Sequence, residues 1–177
     1  IGFLAVEALF KEEFEVTIRN IGSPRTAQPS ISIHYFTQAH EGTSHFWQEE
    51  SQGRKMIKKV CDYLGGVLPN TAYWSGNWII EILMDHRLPD GFIKPLCSGT
   101  NEKRESTACA FIYSAKPKRS DGPLMEVFGL SREQIVRATE GEAIAQFVMR
   151  GVIRNPDYGG DYPIYVYSRQ QAEWLRD

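Results

Sequence analysis

The sequence has few cysteines, and none stands where a metal ligand would. Cys61, Cys97 and Cys109 are far apart and form no CxxC pair, so the pattern of a zinc site is missing. We expect them to be small, buried side chains in a reducing compartment, which predicts a cytoplasmic protein.

Long apolar runs and a signal peptide are also missing. No run approaches the roughly 20 residues that a membrane-spanning helix needs, so we expect no membrane partner. The first residues lack a basic segment, and Glu7 interrupts their apolar run. The chain begins with Ile1 rather than methionine, which indicates a fragment or a processed product.

Neither sign of charge is in excess. The 20 basic and 22 acidic side chains give a net charge of −2, which neither favours nor excludes a nucleic-acid partner. Many enzymes bind polynucleotides through local basic patches without a basic total. The length of 177 residues and the apolar fraction of 42% are those of one globular domain with a core of its own.

Strand and helix patterns alternate along most of the chain. We predict strands at 31–36, 107–115 and 163–167 and helices at 44–64, 142–154 and 169–176. This alternation predicts an α/β fold, a three-layer structure with a mainly parallel sheet flanked by helices. Residues 1–29 are predicted to be a helix, a strand and a linker, and residues 30–177 the α/β domain.

The predicted helix at 142–154 is mostly apolar, yet polar residues recur on it at every fourth position. Gln146, Arg150 and Arg154 would therefore share one face of a largely buried helix. A buried arginine needs an anionic partner, and a guanidinium group suits phosphate because it can bind two oxygens. The residues alone leave two interpretations open: a helix that faces phosphate, or arginines satisfied by Glu142, Gln146 and water.

This pattern, followed by a strand and a last helix, resembles motif six of the superfamily 2 helicases of the DEAD/DEAH type. The resemblance implies that the chain is their second, C-terminal RecA-like domain. It also implies that Gln146, Arg150 and Arg154 are catalytic residues directed at a nucleotide, with an arginine finger among them. Met149 stands where the family has glycine, and Arg154 comes one residue late, so Arg154 matches only in kind.

A second stretch, from Ser98 to Arg104, resembles motif five of the same helicases. It follows a short predicted strand and precedes a long one, and it is rich in groups that can bind phosphate oxygens. The resemblance implies that nucleic acid, DNA or RNA, is bound by Thr100, Asn101, Lys103 and Arg104. Taken alone, the stretch could equally be an ordinary polar turn.

The sequence contains neither a GxxxxGK[ST] loop nor an acidic box for magnesium. The helicase family carries both in its first motor domain. The resemblance therefore implies that ATP and Mg²⁺ are shared with an N-terminal RecA-like domain in the parent protein, and that this chain is inactive alone. Two other classes stay open: a non-catalytic α/β module that binds protein or nucleic acid, and a small unrelated enzyme such as a nuclease or transferase.

Overall fold

The computed structural model describes residues 24–38, 44–49, 52–84, 87–95, 102–114 and 122–176. These residues include four strands: β1 (Ser30–Thr37), β2 (Tyr73–Gly76), β3 (Cys109–Ile112) and β4 (Asp161–Ser168). They also include seven α-helices: α1 (Ser44–Gln48), α2 (Gly53–Val67), α3 (Trp78–Met84), α4 (Gly122–Phe128), α5 (Arg132–Val136), α6 (Glu142–Val148) and α7 (Arg169–Arg176). A π-helical turn (Arg137–Gly141) joins α5 to α6, and a 3-10 turn (Val152–Arg154) precedes β4.

The four strands form one sheet in the order β1-β4-β3-β2, and every neighbouring pair is parallel. Parallel neighbours need crossover connections, which the intervening helices supply. The predicted α/β class with a parallel sheet flanked by helices is therefore confirmed, and the sheet is consistent with a RecA-like arrangement.

Two hydrophobic cores lie on opposite faces of this sheet, because successive strand residues point to opposite sides. Ala110 and Ile112 of β3 pack into one core with α1, α2 and α3, whereas Cys109 and Phe111 pack into the other with α6. The strand β4 alternates in the same way. The predicted three layers are thus present, with helices covering both faces.

The segment before β1 is hydrogen-bonded to the segment before β4. The Arg25 guanidinium donates to the carbonyl oxygens of Ile153 at 2.9 Å and Asn155 at 3.0 Å, and the amides of Thr26 and Ala27 donate to Pro156. Residues 24–29 thus pack on the domain, although we predicted a linker there. The helix and strand predicted within residues 1–23 lie outside the described residues, and the division at residue 29 stays a prediction.

The predicted helix at 142–154 is wrong in length, because α6 ends at Val148. Gly151 follows in an extended conformation, with φ −80° and ψ −171°, before the 3-10 turn begins. The final carbonyl groups of α6 are bound by two tyrosine hydroxyls from the sheet, described below. A helix whose last carbonyls have such partners can end without further turns.

The predicted helix at 44–64 is two helices, α1 and α2. A Cβ atom at Gly53 would lie 1.7 Å from the carbonyl oxygen of Phe46, so only glycine allows the close approach at this break. The predicted end at residue 64 is followed by two glycines, Gly65 and Gly66, which often end a helix, but α2 continues through them to Val67. It ends at Leu68, whose extended conformation is the one favoured before a proline such as Pro69.

None of the helices in the described part of the chain is both long and apolar enough to cross a membrane.

Candidate functional site

A pocket of about 360 Å³ lies at the amino ends of β3 and β4, and two predicted site residues line it. Its lining residues are Arg104, Glu105, Val152, Arg154 and Asn155. Arg104 and Glu105 come just before β3, and the other three come just before β4. Because β3 and β4 are parallel neighbours, the segments that enter them meet at the same edge of the sheet.

Backbone hydrogen bonds hold the two walls of this pocket together. The amide of Val152 donates to the carbonyl oxygen of Ser106 at 2.9 Å, which ties the segment before β4 to the segment before β3. On the other side, Arg25 binds the carbonyl oxygens of Ile153 and Asn155, which flank Arg154. The backbone that carries Arg154 is therefore fixed from both sides.

The side chains at the pocket carry more positive than negative charge. Arg104 and Arg154 are exposed, and Glu105 supplies a single carboxylate. Guanidinium groups bind phosphate and carboxylate groups through two parallel hydrogen bonds. They are also weakly hydrated, so replacing their bound water by an anionic ligand costs little free energy. The pocket can therefore bind a phosphate group.

Three other predicted site residues, Lys103, Gln146 and Arg150, do not line this pocket. Gln146 is exposed on α6, where its Nε2 donates to Glu142 Oε1 at 3.1 Å. Arg150 is half-buried in the turn after α6, and Lys103 is half-buried next to Arg104. Thr100 and Asn101 lie outside the described residues. The prediction of one buried ridge that carries Gln146, Arg150 and Arg154 is wrong, because the helix ends before Arg150.

Two buried tyrosines bind the end of α6. Tyr73 Oη donates to the carbonyl oxygen of Phe147 at 2.7 Å, Tyr162 Oη donates to that of Val148 at 2.9 Å, and the two hydroxyls are 2.9 Å apart. Burial raises the pKa of both hydroxyls, so they stay protonated as donors. These bonds fix the end of α6, and the turn with Arg150 and the 3-10 turn with Arg154 follow it. No pattern in the sequence predicts these bonds.

A buried polar network lies at the opposite, carboxyl edge of the sheet. Glu140 is fully buried in the π-helical turn and accepts hydrogen bonds from Gln171 Nε2 and, at 3.4 Å, from Ser114 Oγ. Gln171 Oε1 in turn accepts from the amides of Tyr167 and Ser168. These bonds join the π-helical turn and α7 to the ends of β3 and β4, so the network is structural.

Within the described residues, no group of three or more histidine, cysteine, aspartate and glutamate side chains could hold a metal ion. No family model, curated protein or solved structure matches this chain. The resemblance to helicases therefore rests on the sequence motifs quoted above alone.

Proposed function

We propose that this chain is the C-terminal motor domain of a nucleic-acid-dependent ATPase, a helicase or translocase, and that its pocket binds the phosphate backbone. One observation carries the proposal. Arg104 belongs to the stretch that resembles motif five and Arg154 to the stretch that resembles motif six, yet both line the same pocket. The two arginines were predicted from two different motifs, so their position in one pocket supports a shared ligand.

The ligand class follows from the chemistry of the pocket. Two guanidinium groups against one carboxylate favour an anion, and a phosphodiester offers oxygens in the geometry that a guanidinium group binds best. The pocket is open to solvent at both arginines, as a site for a long polymer must be. DNA and RNA present the same phosphates and are both accommodated.

In this proposal the chain supplies no ATP site of its own. ATP and Mg²⁺ are held by an N-terminal RecA-like domain of the parent protein, and the reaction is phosphoryl transfer to water. Arg150 is the better candidate for the arginine finger, because Arg154 is engaged in the pocket. A positive charge near the transferred phosphoryl group stabilises the transition state, and Gln146 would lie near the same group.

The alternative is a non-catalytic module that binds nucleic acid or protein, and one specific observation favours it. The pocket lies at the amino edge of the sheet, whereas nucleotides in open α/β sheets bind at the carboxyl edge. A module of this kind would use Arg104 and Arg154 for the phosphate backbone without any nucleotide chemistry.

The first experiment measures binding by this chain of fluorescein-labelled single-stranded DNA and RNA 12-mers, by fluorescence anisotropy at several salt concentrations. Arg104→Ala and Arg154→Ala should each weaken binding about tenfold at low salt and reduce the salt slope by about one. Arg132→Ala, an exposed arginine on α5, is the matched control and should leave binding unchanged. Equal affinity of all four proteins would refute the phosphate role of the pocket.

A second experiment separates the motor from the binding module. In the parent protein, the motor proposal expects Arg150→Ala to lower ATP turnover about a thousandfold while nucleic-acid binding persists. Undiminished turnover in Arg150→Ala, together with binding lost in Arg104→Ala, would leave the non-catalytic module as the function.

A further inference from the structure

A second pocket, of about 560 Å³, lies between strand β1 and helix α2, far in sequence from the arginine pocket. Its strand wall is residues 33–36, and its helix wall is Met56, Lys59, Val60 and Tyr63. The helix residues are spaced by three and four, so they form one stripe along α2. We call this pocket the β1–α2 groove.

The strand wall shows that the groove runs along the edge of the sheet. A pocket on one face of a strand is lined by every second residue, because side chains alternate between faces. Here four consecutive residues line it, so the groove follows the backbone edge, where amide and carbonyl groups point. At that edge β1 is the last strand of the sheet, and β4 is its only partner among the described residues.

The side chains around the groove expose apolar surface and positive charge to solvent. Tyr35 is 42% exposed and Tyr63 is 49% exposed, and Ile31 is 47% exposed further along β1. On α2, Lys59 lines the groove and Lys55 lies one turn before it, and both are exposed. The nearby acidic residue Asp62 is engaged by Arg87 at 3.2 Å.

We propose that the β1–α2 groove binds an extended, acidic peptide segment of a partner protein, which adds to the sheet as a strand beside β1. The backbone of the peptide would pair with the edge of β1 that faces away from β4. Every second side chain of the peptide would then face α2, where apolar residues meet Met56, Val60 and Tyr63 and acidic residues meet Lys59 and Lys55. A groove between an edge strand and a helix is a recurrent site for this mode of binding.

The same surface fits a single-stranded nucleic acid less well. Bases bind such surfaces by stacking on open aromatic faces. His34 already stacks on Tyr165, with ring centroids 4.9 Å apart, and Tyr63 packs edge-on against Phe36 and Tyr165. These rings therefore pack against neighbouring rings, whereas the edge of β1 presents backbone N–H and C=O groups in the repeat that an extended peptide matches.

The test uses a bead library of octapeptides in which every second position is Asp, Glu, Val, Ile, Phe or Tyr and the positions between them are Ser or Thr, screened against the whole chain. We expect beads to bind the chain and the released peptides to lose about tenfold or more in affinity towards Lys59→Glu. Lys58→Glu is the matched control: it makes the same charge change one residue away on α2, but Lys58 does not line the groove. Circular dichroism would verify that both variants fold.

Two further measurements keep the proposal open to refutation. Methylation of alternate backbone amides of a selected peptide should abolish binding for one of the two possible registers, because strand addition needs those N–H groups. Binding that survives both methylation patterns would overturn strand addition. The proposed site would be refuted if no beads bound the chain, or if Lys58→Glu and Lys59→Glu lowered peptide affinity equally. It would also be refuted if Lys59→Glu weakened the binding of a labelled dT8 oligonucleotide but not that of the peptides.

Discussion

At the scale of single residues, Gly151 lies where no side chain fits. A Cβ atom there would be 2.3 Å from Tyr162 Oη and 2.8 Å from the carbonyl oxygen of Ser106. Tyr162 is fully buried and its hydroxyl is held by Val148, so it cannot move aside easily. The close approach of Gly151 brings the segment with Arg154 against the segment with Arg104.

We therefore expect Gly151→Ala to lower the free energy of unfolding by about 1–3 kcal/mol, the usual cost of forcing extra atoms into a packed site. Urea denaturation followed by circular dichroism measures it. The matched control is Gly66→Ala, because a Cβ atom at Gly66 would have nothing within 4 Å. That control should stabilise the protein by about 0.5–1 kcal/mol, since alanine is favoured over glycine in a helix.

The clash can be assigned to its partner by a double-mutant cycle. Tyr162→Phe removes the hydroxyl that the new methyl group would strike, so Gly151→Ala should cost less in the Tyr162→Phe background. The same cost in both backgrounds would mean that the Tyr162 hydroxyl is not what excludes a side chain at position 151.

The residues of the candidate site differ in how well the sequence predicts them. Arg104 and Arg154 are predicted as site residues because the stretches that contain them resemble helicase motifs five and six. Arg25 was not, because it lies in a stretch predicted to be a linker and binds backbone carbonyl groups, which carry no sequence signal. Glu140 was missed for a similar reason: its partners Ser114 and Gln171 come from two distant segments.

At the scale of elements, the start of α5 is fixed by local chemistry. Ser131 Oγ accepts a hydrogen bond from the amide of Gln134 at 3.2 Å, and Gln134 Oε1 accepts one from the amide of Ser131 at 2.7 Å. The sequence pattern Ser131-x-x-Gln134 predicts this capping box, and the prediction is confirmed. A second pattern of this kind, Thr139-x-x-Glu142, predicts a cap at Thr139. That prediction is wrong, because Thr139 lies inside the π-helical turn and donates to the carbonyl oxygen of Ile135.

We expect Ser131→Ala to lower the free energy of unfolding by about 1 kcal/mol, because the amide of Gln134 loses its partner. Thr139→Ala removes an equally small hydroxyl from the same helical stretch and should change stability by less than about 0.5 kcal/mol. Thermal and urea unfolding of the two variants in parallel provide the comparison. Equal losses would show that the cap contributes no more than any hydroxyl of this stretch.

The start of α5 and the end of α6 illustrate why helix ends are harder to predict than helix starts in this chain. A cap at a helix start is read from neighbouring residues, as at Ser131. The end of α6 depends on Tyr73 and Tyr162, which are distant in sequence from Val148 and reach it only once the sheet has formed. Apolar periodicity continues through Val152 and Ile153 because those residues are also buried, in the 3-10 turn.

At the scale of the whole molecule, the alternation of strands and helices predicted a parallel sheet, and the sheet is parallel. The order β1-β4-β3-β2 could not be predicted in the same way. The predicted strands 31–36 and 163–167 have the same sequence pattern, a short run of β-branched and aromatic residues. In the structure none of the β1 residues is buried, whereas β4 is buried from Ile164 to Ser168, as is typical of an edge strand and a central strand. The β1–α2 groove follows from the edge position of β1.

The two cores bury a cysteine each, and this makes the stability of the whole domain sensitive to alkaline pH. Burial raises the pKa of the Cys61 thiol to about 11 and that of Cys109 to about 12. In the unfolded chain a thiol has a pKa of about 8.5. Between these values the unfolded state releases its protons while the folded state keeps them, so the contribution of each thiol is complete below about pH 8.5 and is lost as pH rises.

We expect the free energy of unfolding to fall by roughly 2 kcal/mol per thiol between pH 9 and pH 11. Urea denaturation under reducing conditions at successive pH values gives the slope directly. In Cys61→Ala/Cys109→Ala the cavities lower stability at every pH, but the slope should become shallower. A slope remains above about pH 10, because burial also raises the pKa of Tyr73 and Tyr162. A slope identical to that of the unsubstituted chain would mean that the thiols are not the groups that couple folding to pH.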